Sequence, residues 1–302
     1  MTNSYVIGID IGGTFIKGGV VAQTGEIVKS GKIPTPPTRK FDEVTDAVAE
    51  LINQLKKEYP NGITGVGVAC PGAVDSGAGI VKDSSNLQWK DAPLRKSLEE
   101  KLGCPVGICN DADAALLAEL KFGAAKGTKD AILLTLGTGI GSGVFKDGKL
   151  LEGVELGHAV LAARGRKCAC GRKGCFEAYG SATGLIRSTK EAIRRNATAM
   201  SAENQVTGET AFAYYDKDEI ARKVIGRYAT NLICGIANCA NIFRTEVVLL
   251  GGGICPSLAR FLPEMEQKIN AETAFPIRLA LAAHGNHAGV LGAAALTSLQ
   301  KK

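Results

Sequence analysis

At the start of the chain the apolar residues come in short blocks, Tyr5–Ile9, Phe15–Val21 and Ile27–Ser30, separated by Asp10-Ile11-Gly12-Gly13-Thr14 and by a turn at Thr24-Gly25. Blocks of that length bounded by glycine and polar residues predict three strands. The period changes over Asp42–Glu58, where Val44, Ala47, Val48, Leu51, Ile52 and Leu55 share one helical face until Pro60-Asn61-Gly62. Ile63–Val68 predicts a buried strand running into Cys70-Pro71-Gly72. Leu94, Leu98 and Leu102 predict a short amphipathic helix. Pro105–Ile108 predicts a strand that delivers Asn110-Asp111 ahead of a helix over Ala114–Leu120.

The pattern then restarts. Strand-like Ala131–Leu136 meets the turn Gly137-Thr138-Gly139-Ile140-Gly141, a strand Gly143–Phe145 and a hairpin at Lys146-Asp147-Gly148-Lys149. A long helix from Asp218 to about Ile242 precedes a strand Glu246–Leu250 and the turn Gly251-Gly252-Gly253. A helix from Pro256, a strand Ile277–Leu281 and a small-residue helix Asn286–Leu299 follow. Strand, Gly/Thr turn, strand therefore occurs twice, near residue 10 and near residue 137. Two α/β halves built on such hairpins set two phosphate-binding turns against each other across a cleft.

Composition narrows the class. A chain of 302 residues that is 45% hydrophobic and 22% charged is globular rather than disordered. No apolar run reaches the ~18 residues of a membrane span, and Met1-Thr2-Asn3-Ser4 lacks the basic start of a signal peptide. A soluble, cytoplasmic protein is expected. The net charge of +6 comes from cations spread along the whole length. The densest group, Arg164, Arg166, Lys167, Arg172 and Lys173, reads as a solvated loop face rather than a nucleic-acid footprint. Nine cysteines, an odd count, argue against a disulfide framework. Cys70, Cys104, Cys109, Cys234, Cys239 and Cys255 read as core fillers.

The chemistry concentrates in the turns and in one cysteine cluster. Asp10-Ile11-Gly12-Gly13-Thr14 joins unobstructed backbone amides to a hydroxyl and a carboxylate, a nest suited to phosphate oxygens with the acid near Mg²⁺. Lys17 adds a point charge. Gly137-Thr138-Gly139 and Gly251-Gly252-Gly253 repeat the theme and favour a nucleotide over plain tight turns. Neither a dinucleotide fingerprint nor a P-loop is present. Asp111, at a strand's end, is placed to deprotonate an attacking hydroxyl, although Asp111 or Asp113 also suits a helix cap. Cys168, Cys170 and Cys175 with His158 fill the tetrahedral shell of a closed, structural zinc; buried thiols are the alternative. Glu155 and Glu177 flank the cluster, and a fastened loop would hold both toward sugar hydroxyls.

Glu155-Leu156-Gly157-His158 followed by Cys168-x-Cys170-Gly171-x-x-Gly174-Cys175-x-Glu177, with Asp10-x-Gly12-Gly13-Thr14, Pro71-Gly72, Asn110-Asp111 and Gly137-Thr138-Gly139 in order, resembles the ROK family of the actin/hexokinase/Hsp70 ATPase superfamily over essentially the whole chain. The resemblance implies a two-lobed α/β actin-like ATPase (ribonuclease H-like) fold with an interlobe cleft and a zinc-stabilised loop. The small lobe would hold residues 1–113, joined by a C-terminal helix over 287–302, and the large lobe residues 114–286. It implies Asp111 as general base, Asp10 as organiser of Mg²⁺, and Gly12, Gly13, Thr14 and Thr138 against the ATP phosphates. Gly252 and Gly253 would lie against the nucleotide. Gly72, Asn86, Asn110, Asp111, Glu155, His158 and Glu177 would line the sugar site, His158 ligating zinc through its other ring nitrogen. His284 and His287 have no matching role. Two departures stand out: Asp113, where an asparagine is frequent and whose charge would raise the pKa of the base, and Ser142, which interrupts a usual Gly-Gly pair.

The leading expectation is an ATP-dependent hexokinase, most simply a glucokinase acting on the 6-hydroxyl, in a homodimer or homotetramer built through the large lobe, with no nucleic-acid or membrane partner. N-acetylmannosamine, fructose or allose kinases share these motifs, and polyphosphate is an alternative donor. A sugar-sensing repressor would need a helix-turn-helix where only four residues precede Tyr5. A zinc hydrolase would need an open metal position.

Overall fold

A computed structural model describes residues 4–57, 59 and 62–299. The expected helix end at Glu58, the Pro60-Asn61 turn and positions 300–302 of the last expected helix lie outside them.

The elements follow in chain order: β1 (Tyr5–Ile11), β2 (Phe15–Ala22), β3 (Ile27–Pro34), α1 (Phe41–Lys57), β4 (Ile63–Cys70), β5 (Ala73–Asp75), β6 (Ile80–Ser84), β7 (Trp89–Ala92), α2 (Leu94–Leu102), β8 (Val106–Asn110) and α3 (Asp111–Phe122). After these come β9 (Ala131–Leu136), β10 (Ile140–Lys146), β11 (Lys149–Leu150), α4 (Glu177–Gly180), α5 (Ala182–Arg195), α6 (Thr210–Ala213) and α7 (Glu219–Phe243). The chain closes with β12 (Val247–Gly251), α8 (Cys255–Leu258), α9 (Leu262–Glu272), β13 (Arg278–Leu281) and α10 (Ala288–Leu299). No helix among the described residues is long and apolar enough to cross a membrane.

The internal duplication is a duplication of topology. The first sheet runs β3-β2-β1-β4-β8 and the second β11-β10-β9-β12-β13. In each, an antiparallel hairpin is extended on one side by two parallel strands, β1 with β4 and β8, β9 with β12 and β13. Each sheet has its own core: Ile7, Ile9, Val66, Val68 and Ile108 pack with Val44, Val48 and Ile52 of α1, while Ile132, Leu134, Val248 and Leu250 surround Phe176, Leu232 and Ile236. The small three-stranded sheet β5-β6-β7 and helices α5 and α6 lie outside the expected elements, although α5 is strongly amphipathic, and the helix expected from Pro256 is broken into α8, a 3₁₀ turn and α9.

α10 packs on β1, β4 and α3, so the chain's end returns to the first sheet. The approach is close enough to exclude side chains: a Cβ at Gly8 would lie 1.9 Å from the Val290 carbonyl oxygen, and one at Gly67 1.8 Å from that of Ala293. A Cβ at Gly292 would lie 1.6 Å from the Ala114 carbonyl oxygen. Opposed glycines thus set the helix–sheet spacing. The expected start of the last helix at Asn286 falls within a 3₁₀ turn, Gly285–His287.

Four of the six scattered cysteines are buried, but Cys234 is exposed and Cys104 is half-buried with Lys56 Nζ at 3.3 Å. The reading of Arg166 as a solvated loop residue is also corrected. Its guanidinium donates to Ser188 Oγ at 3.0 Å and to Glu191 at 3.3 Å, and it stacks on Tyr179.

Candidate active site

Three strand ends converge at one edge of the first sheet. Asp10, near the end of β1, is level with Ala69 of β4, and Cys70 is level with Asn110, the last residue of β8. The C-terminal edge of parallel strands is where α/β sheets hold their ligands. The helix after β8 starts at Asp111, earlier than its apolar pattern indicates. Its cap is Asn110, not an aspartate: Asn110 Oδ1 accepts from the amides of Ala112 (2.7 Å) and Asp113 (3.3 Å). The Asn110 amide also donates to the Gly72 carbonyl at 2.7 Å. Gly72 itself has φ of 107°, and a Cβ there would lie 2.2 Å from the Asp83 carbonyl, so the chain passes directly under β6. Asn86 is exposed in the loop between β6 and β7.

That arrangement gives the cap to Asn110, while Asp111 Oδ1 accepts the adjacent Ala112 amide at 2.9 Å. The Asp111 side chain is exposed to solvent at the N-terminus of α3 while protein packs around it. Burial pushes its pKa up, the Ala112 amide opposes the shift, and the negative charge of Asp10 raises it further. Asp10 is likewise raised by burial and lowered by Lys17, its cross-strand partner, whose Nζ lies 4.0 Å away. Asp113 and Asp111 repel each other as expected, and the rise that this repulsion causes falls on Asp113. Asp113 is itself pushed up to about 7 by burial and by Glu152, Asp111 and Glu155. These couplings bring the loop that carries Glu152 and Glu155 up to the start of α3.

The two Gly/Thr turns are built alike. At the β1–β2 turn the Gly12 amide donates to the Phe15 carbonyl, and Thr35 binds the carbonyls of Gly12 and Thr14, leaving Thr14 exposed at the tip beside Gly13. At the β9–β10 turn the Gly137 amide donates to the Gly139 carbonyl, the Ala182 amide donates to that of Gly137, and Thr138 is exposed. After β12, Gly252 has φ of 105°, and a Cβ there would lie 2.3 Å from the Leu136 carbonyl oxygen. Gly253 has open space beside it.

The cysteine cluster assembles as a ligand set. Cys168, Cys170 and Cys175 offer their sulfurs and His158 a ring nitrogen, all within 4.8 Å of one another. Cys170 and Cys175 sulfurs are 3.7 Å apart, and Cys168 Sγ lies 3.9 Å from His158 Nδ1. A tetrahedral zinc with Zn–S bonds of about 2.3 Å separates its sulfurs by about 3.8 Å, so the donors fit. Burial pushes the Cys168 thiol up to about 12, whereas the Arg172 amide pulls Cys170 down to about 6, making Cys170 the readiest thiolate. Glu177 ties this loop to the second phosphate turn: Oε2 accepts the Ile140 amide at 3.0 Å, and Cys168 Sγ donates to Oε1 at 3.3 Å. A Cβ at Gly139 would lie 2.4 Å from Glu177 Oε2. Glu155 is exposed just before the 3₁₀ turn Leu156–His158.

Three positioning groups are not legible as such in the sequence, which marks Ser142 only as a departure in its turn. Ser142 Oγ donates to the Val154 carbonyl at 2.7 Å and accepts the Leu156 amide at 3.0 Å, clamping the backbone on both sides of Glu155. Glu152 accepts the Ser76 amide at 3.2 Å, joining its loop to the β5–β6 turn. Glu119, fully buried on α3, accepts the amides of Ala124 (2.8 Å), Ala283 (2.7 Å) and His284 (3.0 Å), pinning the segment that leads from β13 to α10. Only contacts distant in sequence reveal them.

Comparison with known proteins agrees with this geometry along the entire chain. A glucokinase of Halalkalibacterium halodurans is 32% identical over 320 aligned positions, covering 100% of this chain and 97% of the relative. A ROK hexokinase from Thermus thermophilus superposes with a TM-score of 0.83 at 31% identity, covering 99% of this chain and 100% of its own. A ROK family glucokinase from Streptomyces griseus, solved with glucose and AMPPNP, superposes with a TM-score of 0.78 at 29% identity, covering 97% and 99%. The family signature itself matches residues 6–300, and on these grounds the chain belongs to the ROK family.

Proposed function

We propose that the protein transfers the γ-phosphoryl group of ATP to a hexose, with glucose converted to glucose 6-phosphate. The observation that carries this reading is Asp111: a carboxylate at the end of β8 and the N-terminus of α3, freed from capping by Asn110 and electrostatically coupled to Asp10. Similarity to glucokinases and to a structure holding glucose and AMPPNP supports the substrates.

In this mechanism Asp111 accepts the proton of the attacking sugar hydroxyl. Its raised pKa lies closer to the operating pH than that of a free carboxylate, and the loose transition state asks the base for position before proton affinity. The amides and hydroxyls of Gly12-Gly13-Thr14 and Gly137-Thr138-Gly139 hold the ATP phosphates, with Lys17 adding charge, and Gly252 and Gly253 leave room for the nucleotide. Asp10, a hard oxygen donor, would hold Mg²⁺, which neutralises phosphate charge when bound. Asn86, Glu155 and the free ring nitrogen of His158 orient the sugar. Gly72, Asn110 and Glu177 shape the site by supporting the strand end, the cap and the phosphate turn. His158, Cys168, Cys170 and Cys175 would hold a structural zinc that fastens the loop.

The protein acts where ATP and free sugars meet, in the cytoplasm. It self-associates through the large lobe, where Ile242 of α7 stands 72% exposed.

The test is sugar-dependent ADP release from MgATP across glucose, mannose, N-acetylglucosamine, N-acetylmannosamine, fructose and allose, with wild type and Asp111→Asn. Turnover selective for glucose and abolished in the variant, with ATP binding retained, is expected. An active Asp111→Asn enzyme removes Asp111 from the base role, and selectivity for another sugar replaces glucose.

A further inference from the structure

Although cations are spread along the chain, folding gathers many of them on one face of the large lobe. α5 packs beside α7, and between them opens a cavity of about 330 Å³ whose walls carry Arg166, Arg195, Lys223 and Arg227, with Glu191 the single acid. The adjoining hollow along α5, of about 660 Å³, carries Arg187, Lys190 and Arg194 and shares Glu191. Seven cations line the two hollows against Glu191, and even with Glu219, which pairs with Lys223, the local excess is five.

The local ion pairs do not absorb this charge. Glu191 is bound by Arg187 at 3.0 Å and Arg166 at 3.3 Å, and Lys223 by Glu219 at 2.6 Å. Arg195 acts on the same Glu191 through space, and Arg227 belongs to none of these ion pairs. Basic residues in the last turn of α5 complement its dipole, but that does not account for Arg227, which faces them from another helix. Like charges at helical spacing also repel. Guanidinium forks match phosphate oxygens two at a time. The cavity volume falls in the ~300–1,000 Å³ range of small-ligand sites.

We propose that the cavity between α5 and α7 is a second ligand site, taking a small anion with one or two phosphoryl groups, and that Arg166 couples it to the catalytic cleft. The Arg166 guanidinium bonds the carbonyls of Ala178 (3.5 Å) and Gly184 (3.4 Å), and its amide donates to Tyr179 Oη (2.7 Å). It therefore braces α4, whose first residue is Glu177. A bound phosphoryl group competes with these contacts, loosens α4 and weakens sugar binding. The ligand site stands on its own; the coupling rests on the proposed kinase reading, under which the enzyme's own product is such an anion.

The test is calorimetric titration of pyrophosphate, and separately of glucose 6-phosphate, into protein saturated with glucose and AMPPNP so that the cleft is filled. One site is expected, weakened at least tenfold in the Arg195→Gln/Arg227→Gln double variant, whose melting temperature confirms that it is folded. Binding of both ligands marks recognition of the phosphoryl group alone, and binding of only the sugar phosphate marks product recognition. No binding, binding insensitive to the variant, or tighter variant-sensitive binding of duplex DNA overturns the site. In turnover assays pyrophosphate should raise the sugar KM of wild type and not of the variant; an equal effect on both overturns the coupling while leaving the binding result intact.

Discussion

Glu119 offers the sharpest test of how the two sheets are joined. Its carboxylate is buried in full, and its charge is held by three backbone amides. Ala124, at the end of α3, donates to Oε2, while Ala283 and His284, on the way to α10, donate to Oε1. Glu119→Gln preserves volume. Its single carbonyl oxygen can still accept from Ala283 and His284, but its amide then faces the Ala124 N–H, donor against donor. One bond is lost and two lose their charge assistance. At about 1.5–3 kcal/mol for a hydrogen bond to a charged group and about 1 kcal/mol for a neutral one, the variant should lose about 3–7 kcal/mol. Glu119→Ala, which orphans all three amides, should lose about 5–9 kcal/mol. At about 2–4 °C per kcal/mol for a large domain, Glu119→Gln should melt at least about 6 °C below wild type. Denaturant unfolding and calorimetry measure both variants. A Glu119→Gln protein within 1 kcal/mol of wild type would refute the role of the carboxylate as the pin of this crossing.

Other outcomes follow from the same geometry. Ser142→Ala leaves the Val154 carbonyl and Leu156 amide without their partner and frees Glu155. Steady-state kinetics should show sugar KM rising about tenfold, an effect of about 1.4 kcal/mol, at nearly constant kcat; a fall in kcat alone contradicts this. Asp113 holds its proton to about 7 in the fold and releases it near 3.9 when unfolded. The native state thus binds more protons between those values, and stability falls as the pH rises through that window, by about 4 kcal/mol in total. Asp113→Asn should remove this decline in denaturation series from pH 4 to 8, and parallel curves for the two proteins would exclude it. Metal analysis should find about one zinc per chain. Chelation should raise sugar KM and lower the melting temperature, whereas a metal-free protein with unchanged sugar affinity would leave the loop held by other contacts.

Much of this molecule is written in local pattern. The strands of both hairpins, the amphipathic face of α1, the glycine turns and the spacing Cys168-x-Cys170-(x)4-Cys175 are properties of adjacent residues, so period and turn chemistry reveal them. Residue type also identifies Asp10, Asp111 and His158 as candidate chemistry. Which of two neighbouring acids does what is not local. Asn110 rather than an aspartate caps α3 because β8 delivers its side chain to two amides and to the Gly72 carbonyl at once. Asp113 rather than Asp111 is the more strongly shifted carboxyl because α3 buries it and turns it toward Glu152 and Glu155, some forty residues away. The grip of Ser142 on Glu155, the pin at Glu119 and the cationic hollow between α5 and α7 are likewise products of chain crossings. Sequence determined the elements and the kinds of chemistry available. Tertiary structure decided their pairing, because hydrogen bonds and electrostatic shifts depend on distances in space, and only packing sets those.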